Sequence, residues 1–265
     1  MYRILSSPKA RVGVVVGTFA ALPYVHLQLE ARRRYWPDVP VIVHDDASPQ
    51  QDNLLALCRE YGVDFDASPY RQAATVGDMA ALVAGFDWAR GHDLDYVVKL
   101  SRRFVIMRPW VDTFRELAFN TQFATYSGAC SDFGFGFRTE CTAYHVRTWF
   151  AAGAVETLRG YVARNESAFV EGLVHELARD VHRSACDVTR RLERWSPREG
   201  DHARDADGYG YWPLLGTGRS IYNPGILWHD YATADSYWGV AQAFGLTEYT
   251  REDFADPNAG AGAMP

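Results

Sequence analysis

The chain has 265 residues, 48% of them hydrophobic and 23% charged, enough to bury one large core. Its formal net charge is −6 and its sequence pI is near 5.7, so no basic surplus is present to neutralise phosphates, which argues against nucleic acid as a general partner. The longest apolar stretch, Val12 to Val25, carries Gly13, Gly17 and Pro23 and is too short to cross a bilayer.

Val12 to Phe19 is a run of valines and reads as a strand inside a parallel sheet, followed by helical spacing from Leu22 to Tyr35. Arg32, Arg33 and Arg34 close that helix, where solvated cations complement its dipole; at most they add a peripheral membrane contact. Val39 to Asp46 is a second buried strand ending in two acids, and Ala47 to Gln50 is a turn into a helix from Gln51 to Tyr61. A short strand at Val63 to Ala67, a helix from Gly77 to Gly91 and a strand at Tyr96 to Leu100 continue the alternation. Such βα repetition predicts a mostly parallel sheet with helices on both faces, an α/β fold.

Beyond Pro109 the pattern predicts a helix from Trp110 to Phe119 and a strand of alternating faces within Gly134 to Val146. Helices at Ala151 to Val162 and Glu166 to Cys186 follow, the latter with Phe169, Leu173, Val174 and Leu177 as one apolar stripe. Ser196 to Gly218 has no periodicity and reads as a lid or a surface excursion, and Asp256 to Pro265 as a low-complexity tail. The expected organisation is one domain over residues 1–255. Cys58, Cys130, Cys141 and Cys186 show no paired spacing and no leader precedes them, which predicts reduced thiols in a cytoplasmic protein.

The strand at Tyr96 to Leu100 runs into Ser101, Arg102 and Arg103, at the carboxyl edge of a sheet where open α/β folds bind ligands. Guanidinium groups offer planar donor forks that match phosphate oxygens in pairs. Lys99, within the strand, either assists them or is an ion-paired lysine. Asp45 and Asp46, at another strand end, can accept from a ribose hydroxyl or a base N–H, or cap the turn through Ser48 and Pro49.

In these segments the chain resembles the nucleotide-sugar glycosyltransferases of the GT-A architecture, closest to the family 2 enzymes, over roughly its first 110 residues. Val14 to Phe19, with Thr18 and Phe19 at its end, is similar to that family's first strand and turn, and Val41 to Pro49 to its second, acid-ended strand. In the family these positions hold the nucleoside. Arg71 to Ala84, with Gly77 and Asp78 opening a helix, resembles the segment that approaches the donor. Asp95 to Val105 matches the strand bearing an Asp-X-Asp metal motif, and here the motif reads Ser101-Arg102-Arg103. The resemblance therefore implies either a metal-independent transferase, with arginines in place of the cation and no divalent metal or other cofactor, or an inactive nucleotide-sugar-binding homologue acting as a partner or regulator. The implied partners are a nucleoside-diphosphate sugar and a saccharide or small-molecule acceptor, in a polysaccharide or secondary-metabolite setting.

Such a reaction needs a carboxylate base for the acceptor hydroxyl, and Glu140, Glu166 and Glu171 compete for the role, with Asp132 an outsider. Glu166 is also explained as a helix-start acid, and Glu140 as a partner of Arg138. His229, between Trp228 and Asp230, suits a hydrogen bond to phosphate or acceptor. Tyr209, Tyr211 and Trp212 are candidates for stacking on a sugar. A dinucleotide-binding oxidoreductase or methyltransferase lacks its spaced glycines here, a hydrolase its Gly-X-Ser-X-Gly elbow, and a sugar nucleotidyltransferase its basic loop after the first strand.

Overall fold

The computed structural model describes residues 7–128, 138–185, 210–211, 225–228 and 232–255. Their frame is a seven-stranded sheet of order β3-β2-β1-β4-β7-β6-β8. The strands are β1 (Val12–Thr18), β2 (Val41–Asp45), β3 (Asp64–Ala67), β4 (Tyr96–Ser101), β6 (Thr125–Ser127), β7 (Thr142–His145) and β8 (Gly210–Tyr211). A separate ribbon pairs β5 (Val105–Ile106) with β9 (Ile226–Leu227). Strands β1 to β4 are all parallel, as the repeated βα pattern requires, with β1 central among them.

Helices α1 (Leu22–Tyr35), α2 (Gln51–Glu60) and α3 (Ala74–Gly91) are the crossovers of this half, and α4 (Val111–Thr121) follows β5. The sheet separates two apolar layers. Val14, Val16, Val43, Val98 and Leu100 belong to one cluster, and Val15, Ile42 and Val97 join residues of α3 in the other. Period-two alternation with both faces covered accounts for the near-continuous valine runs.

The second half departs from the predicted elements in four places. The strand expected within Gly134 to Val146 is Thr142–His145, buried at every position and inserted antiparallel between β4 and β6. The helix expected over Ala151 to Val162 is α6 (Ala154–Ala163), and a short helix not expected from the sequence, α5 (Val146–Ala151), precedes it, with Gly153 turning the chain between them at φ 73°. The next helix, α7, spans Val170–Ala185, so Phe169 precedes it and is 59% exposed. Val170, Val174, Ala178 and Val181 form its buried stripe, with Leu173 and Leu177 packed alongside. From the aperiodic Ser196 to Gly218 segment, Gly210–Tyr211 adds to the sheet edge, parallel to β6; the rest of that segment and the 256–265 tail lie outside the described residues.

The arginines ending α1 are anchored rather than merely solvated. Arg33 and Arg34 both bind the buried Glu30 at 2.6 Å, and Arg34 also donates to the carbonyl of Phe244 at the end of α8 (Ala234–Phe244). Those cations and the Tyr61 hydroxyl hold the Glu30 carboxyl below its ordinary pKa against the opposing effect of burial. Cys58 and Cys141 are buried free thiols, and burial pushes Cys58 up to about 12; Cys130 and Cys186 lie outside the described residues. Among the described residues no helix is long and apolar enough to cross a membrane.

Candidate functional site

The sheet register places the ends of β2, β1 and β4 side by side: Thr18 stands opposite Asp45, and Gly17 opposite Ser101. The Asp46 amide donates to the Thr18 carbonyl at 3.0 Å, extending that edge by one residue. Two alanines in the left-handed region, Ala20 (φ 47°) and Ala47 (φ 55°), turn the chain just past Phe19 and Asp46. Strained backbone of this kind gathers where a site constrains the chain.

The two acids have separate roles. Asp45 is the turn cap: its carboxylate accepts from the Ser48 amide at 2.8 Å and from the Ser48 hydroxyl. Asp46, 3% exposed, is ion-paired with Arg71 and accepts from the Gln72 amide at 3.2 Å. Arg71 also lies over Phe19, its Cζ 3.7 Å from the ring centroid, and burial lowers its pKa against the raising effect of Asp45. Thr18 Oγ1, Gln72 Oε1 and Ser101 Oγ are buried without a hydrogen-bond partner. Unpaired buried polar atoms are costly, and three along one edge are ready-made contacts for a polar ligand.

Behind Asp46 a polar relay steadies the loop from β3 to α3. His44 Nδ1 lies 2.7 Å from Asp66 and Nε2 lies 3.2 Å from the Ser68 hydroxyl. The His44 hydrogen bond lowers the Asp66 pKa.

At β4 the predicted arginine turn is anchored rather than loose in solvent. Arg102 Nη1 donates to the Phe19 carbonyl at 2.7 Å, and Arg102 and Arg103 are both half-buried. Phe104 N closes the turn on Ser101 O at 3.1 Å. Lys99 is fully buried and ion-paired with Asp78 of α3, whose other carboxylate oxygen accepts from the Thr139 hydroxyl at 3.3 Å. Of the two sequence-level explanations for Lys99, the ion pair is the one realised.

Glu140 follows Thr139 and lies 3.8 Å from Arg138, whose guanidinium is 5.4 Å from the Trp228 ring. Glu171, in the first turn of α7, joins Asp78 in raising the pKa of the buried Tyr144 hydroxyl, after the larger effect of burial. Glu140 thus follows, in the chain, the threonine that Asp78 accepts from. Glu166 lies before α7 on the surface, bound to Arg164 at 2.8 Å. Asp132, His229, Tyr209 and Trp212 lie outside the described residues. Among the described residues no three His, Cys, Asp or Glu side chains group as a metal site; the end of β4 offers a hydroxyl and two guanidinium groups instead.

Asp46 and the arginine turn stand out in the sequence at strand ends, whereas Arg71 is there only the start of a segment and Gln28 and Tyr237 belong to no motif. Gln28, 2% exposed on α1, donates from Nε2 to Ser101 O at 2.6 Å and to Phe104 O at 2.8 Å. The Tyr237 hydroxyl donates to Arg103 O at 2.5 Å. The signal for Gln28 was its place in a run whose neighbours, Leu27 and Leu29, are core residues.

Comparison with protein-family models and with curated proteins finds no match. Among solved structures, the chain is similar to the mannosyltransferase PcManGT from Pyrobaculum calidifontis in complex with GDP-Man and Mn2+. The TM-score is 0.50 and the identity 14%, over 85% of this chain and 61% of that one. It is also similar to S. aureus TarS 1-349 in complex with UDP, at TM-score 0.43 and 11% identity over 65% of this chain and 64% of that one. A cytidylyltransferase from Leptospira borgpetersenii aligns at TM-score 0.46 and 12% identity, over 90% and 95% of the two chains. This chain therefore spans less than two thirds of both transferases. At such identities the likeness defines architecture alone, and that architecture is the GT-A α/β fold.

Proposed function

We propose that this protein transfers a glycosyl group from a nucleoside-diphosphate sugar to an acceptor hydroxyl, with arginines rather than a divalent cation stabilising the departing diphosphate. The observation that carries the reading is the row of polar groups across three adjacent strand ends: Asp46 with Arg71, Thr18, and the Ser101-Arg102-Arg103 turn. Asp46 accepts from a base or ribose donor, and Thr18 Oγ1 and Gln72 Oε1 offer further bonds to the nucleoside. Arg102 and Arg103 meet the diphosphate, where leaving-group charge develops. A hydroxyl and two cations do not suit a divalent ion, which takes oxygen ligands of opposite charge.

In the transfer, the bond from the anomeric carbon to the diphosphate oxygen breaks with its electron pair leaving on the nucleotide. The acceptor oxygen bonds to that carbon, and its proton passes to a carboxylate. Glu140, next in the chain to the Asp78 partner Thr139, and Glu171, in the first turn of α7, are the carboxylates proposed for that proton, while Glu166 is engaged at the surface by Arg164. Asp78, one third exposed, retains acceptor capacity for a sugar hydroxyl.

The test is donor turnover by the full chain across a panel of UDP-, GDP- and dTDP-sugars with EDTA present, with saccharide acceptors added and hydrolysis followed alongside. Turnover that EDTA leaves intact supports the reading, whereas strict dependence on manganese contradicts it. Nucleotide binding with no turnover of any donor favours instead a binding homologue.

A further inference from the structure

We infer that Gln28 and Tyr237 are positioning residues that hold the arginine turn in shape for the diphosphate, coupling α1 and α8 to the donor site; this rests on the function proposed above. The turn from Ser101 to Phe104 is gripped through its carbonyls. The Gln28 amide takes Ser101 O and Phe104 O at 2.6 and 2.8 Å, and the Tyr237 hydroxyl takes Arg103 O at 2.5 Å. Arg102 in turn reaches Phe19 O at 2.7 Å, so the turn is also tied to the end of β1.

Two features point to positioning rather than packing. Gln28 is 2% exposed, its neighbours one turn away on α1 are the buried Tyr24, Val25 and Ala31, and its Oε1 is buried without a partner. A leucine would fill such a place without that unpaired acceptor, so the amide is tolerated for what its other end holds. Its orientation is unambiguous, because two carbonyls can be met only by the NH2 group. Tyr237 sits in an aromatic cluster with Tyr24 and Phe254, at 4.9 and 6.4 Å between ring centroids, and phenylalanine would serve that cluster equally well. What only the hydroxyl supplies is the bond to Arg103 O. Carbonyls engaged on the α1 and α8 side are not free to face a phosphate, which an acceptor oxygen would repel.

The test compares UDP, GDP and dTDP with their parent nucleosides, binding to the full chain in EDTA, for wild type, Tyr237→Phe, Gln28→Met and the double variant. Tyr24→Phe, which removes a hydroxyl from the same cluster but not from the turn, is the control. The expected result is a loss of roughly two- to tenfold in diphosphate-over-nucleoside preference in each single variant. Nucleoside affinity and the control stay unchanged, and the double variant loses less than the product of the singles because both act on one turn. If Gln28→Met fails to fold, Tyr237→Phe alone decides. Unchanged preference in both variants, or equal losses for diphosphate and nucleoside, overturns the inference while leaving the proposed function standing. A wild type that binds no nucleoside diphosphate overturns the proposed function and the inference with it.

Discussion

Asp46 and Gly77 are fitted to one another: a Cβ placed on Gly77 would stand 2.9 Å from the Asp46 Cγ and 3.4 Å from the Arg71 guanidinium. The first turn of α3 approaches the Asp46 carboxylate so closely that only a hydrogen fits between them. This contact, together with the Arg71 pair, sets where the acid at the end of β2 can lie.

Gly77→Ala therefore moves the carboxylate without unfolding the chain. Alanine favours a helix by about 1 kcal/mol over glycine, which offsets much of an overpacking cost of about 1–3 kcal/mol. The expected outcome is a melting temperature within a few degrees of wild type and nucleotide affinity reduced by about tenfold or more. Titration calorimetry alongside a thermal melt measures both, and intact affinity would show that Asp46 is not a ligand contact.

The Lys99 and Asp78 pair is asymmetric in burial, with the lysine fully enclosed and the carboxylate one third exposed. Asp78→Asn strands a buried cation and is expected to destabilise the fold by about 3–5 kcal/mol. Lys99→Met leaves a carboxylate that water can reach and is expected to cost less, about 1–2 kcal/mol. Urea unfolding of the two variants reads the difference, and equal losses would contradict the assignment of burial.

The first half of the fold was legible because parallel strands buried on both faces read as valine runs, and each is followed by a helix-length segment. The antiparallel insertion of β7 was not: a strand is expected within Gly134 to Val146, but its direction and its place between β4 and β6 are set by long-range pairing that no local period reports. Asp46 was legible as an acid ending a strand, but its separation in role from Asp45 depends on Arg71 and Gln72 arriving from another loop. Gln28 and Tyr237 escaped notice for a similar reason: each acts on a backbone carbonyl more than seventy residues away in the chain. No local pattern reports such a contact.

Acid sensitivity is expected from His145. Burial draws its pKa from 6.5 down to about 4, with Asp95 opposing and Arg147 assisting. It packs against Tyr96 and bonds Thr148 at 2.6 Å. The folded chain keeps this imidazole neutral where the unfolded chain takes up a proton, so its contribution is complete above pH 6.5 and is lost as pH falls toward 4. The loss amounts to about 3 kcal/mol. His145→Gln is expected to flatten the stability profile across that window, and an unchanged slope in the variant would assign the effect elsewhere.

Guanidinium groups at the end of β4 are proposed to take the charge of a diphosphate. The most direct measurement is calorimetric binding of UDP, GDP and dTDP in EDTA to wild type, Arg102→Ala and Arg103→Ala. Wild type is expected to bind at least one of them without metal, and each substitution to weaken binding by about tenfold or more while nucleoside affinity is kept. Binding that requires manganese, or that survives both substitutions unchanged, would contradict it.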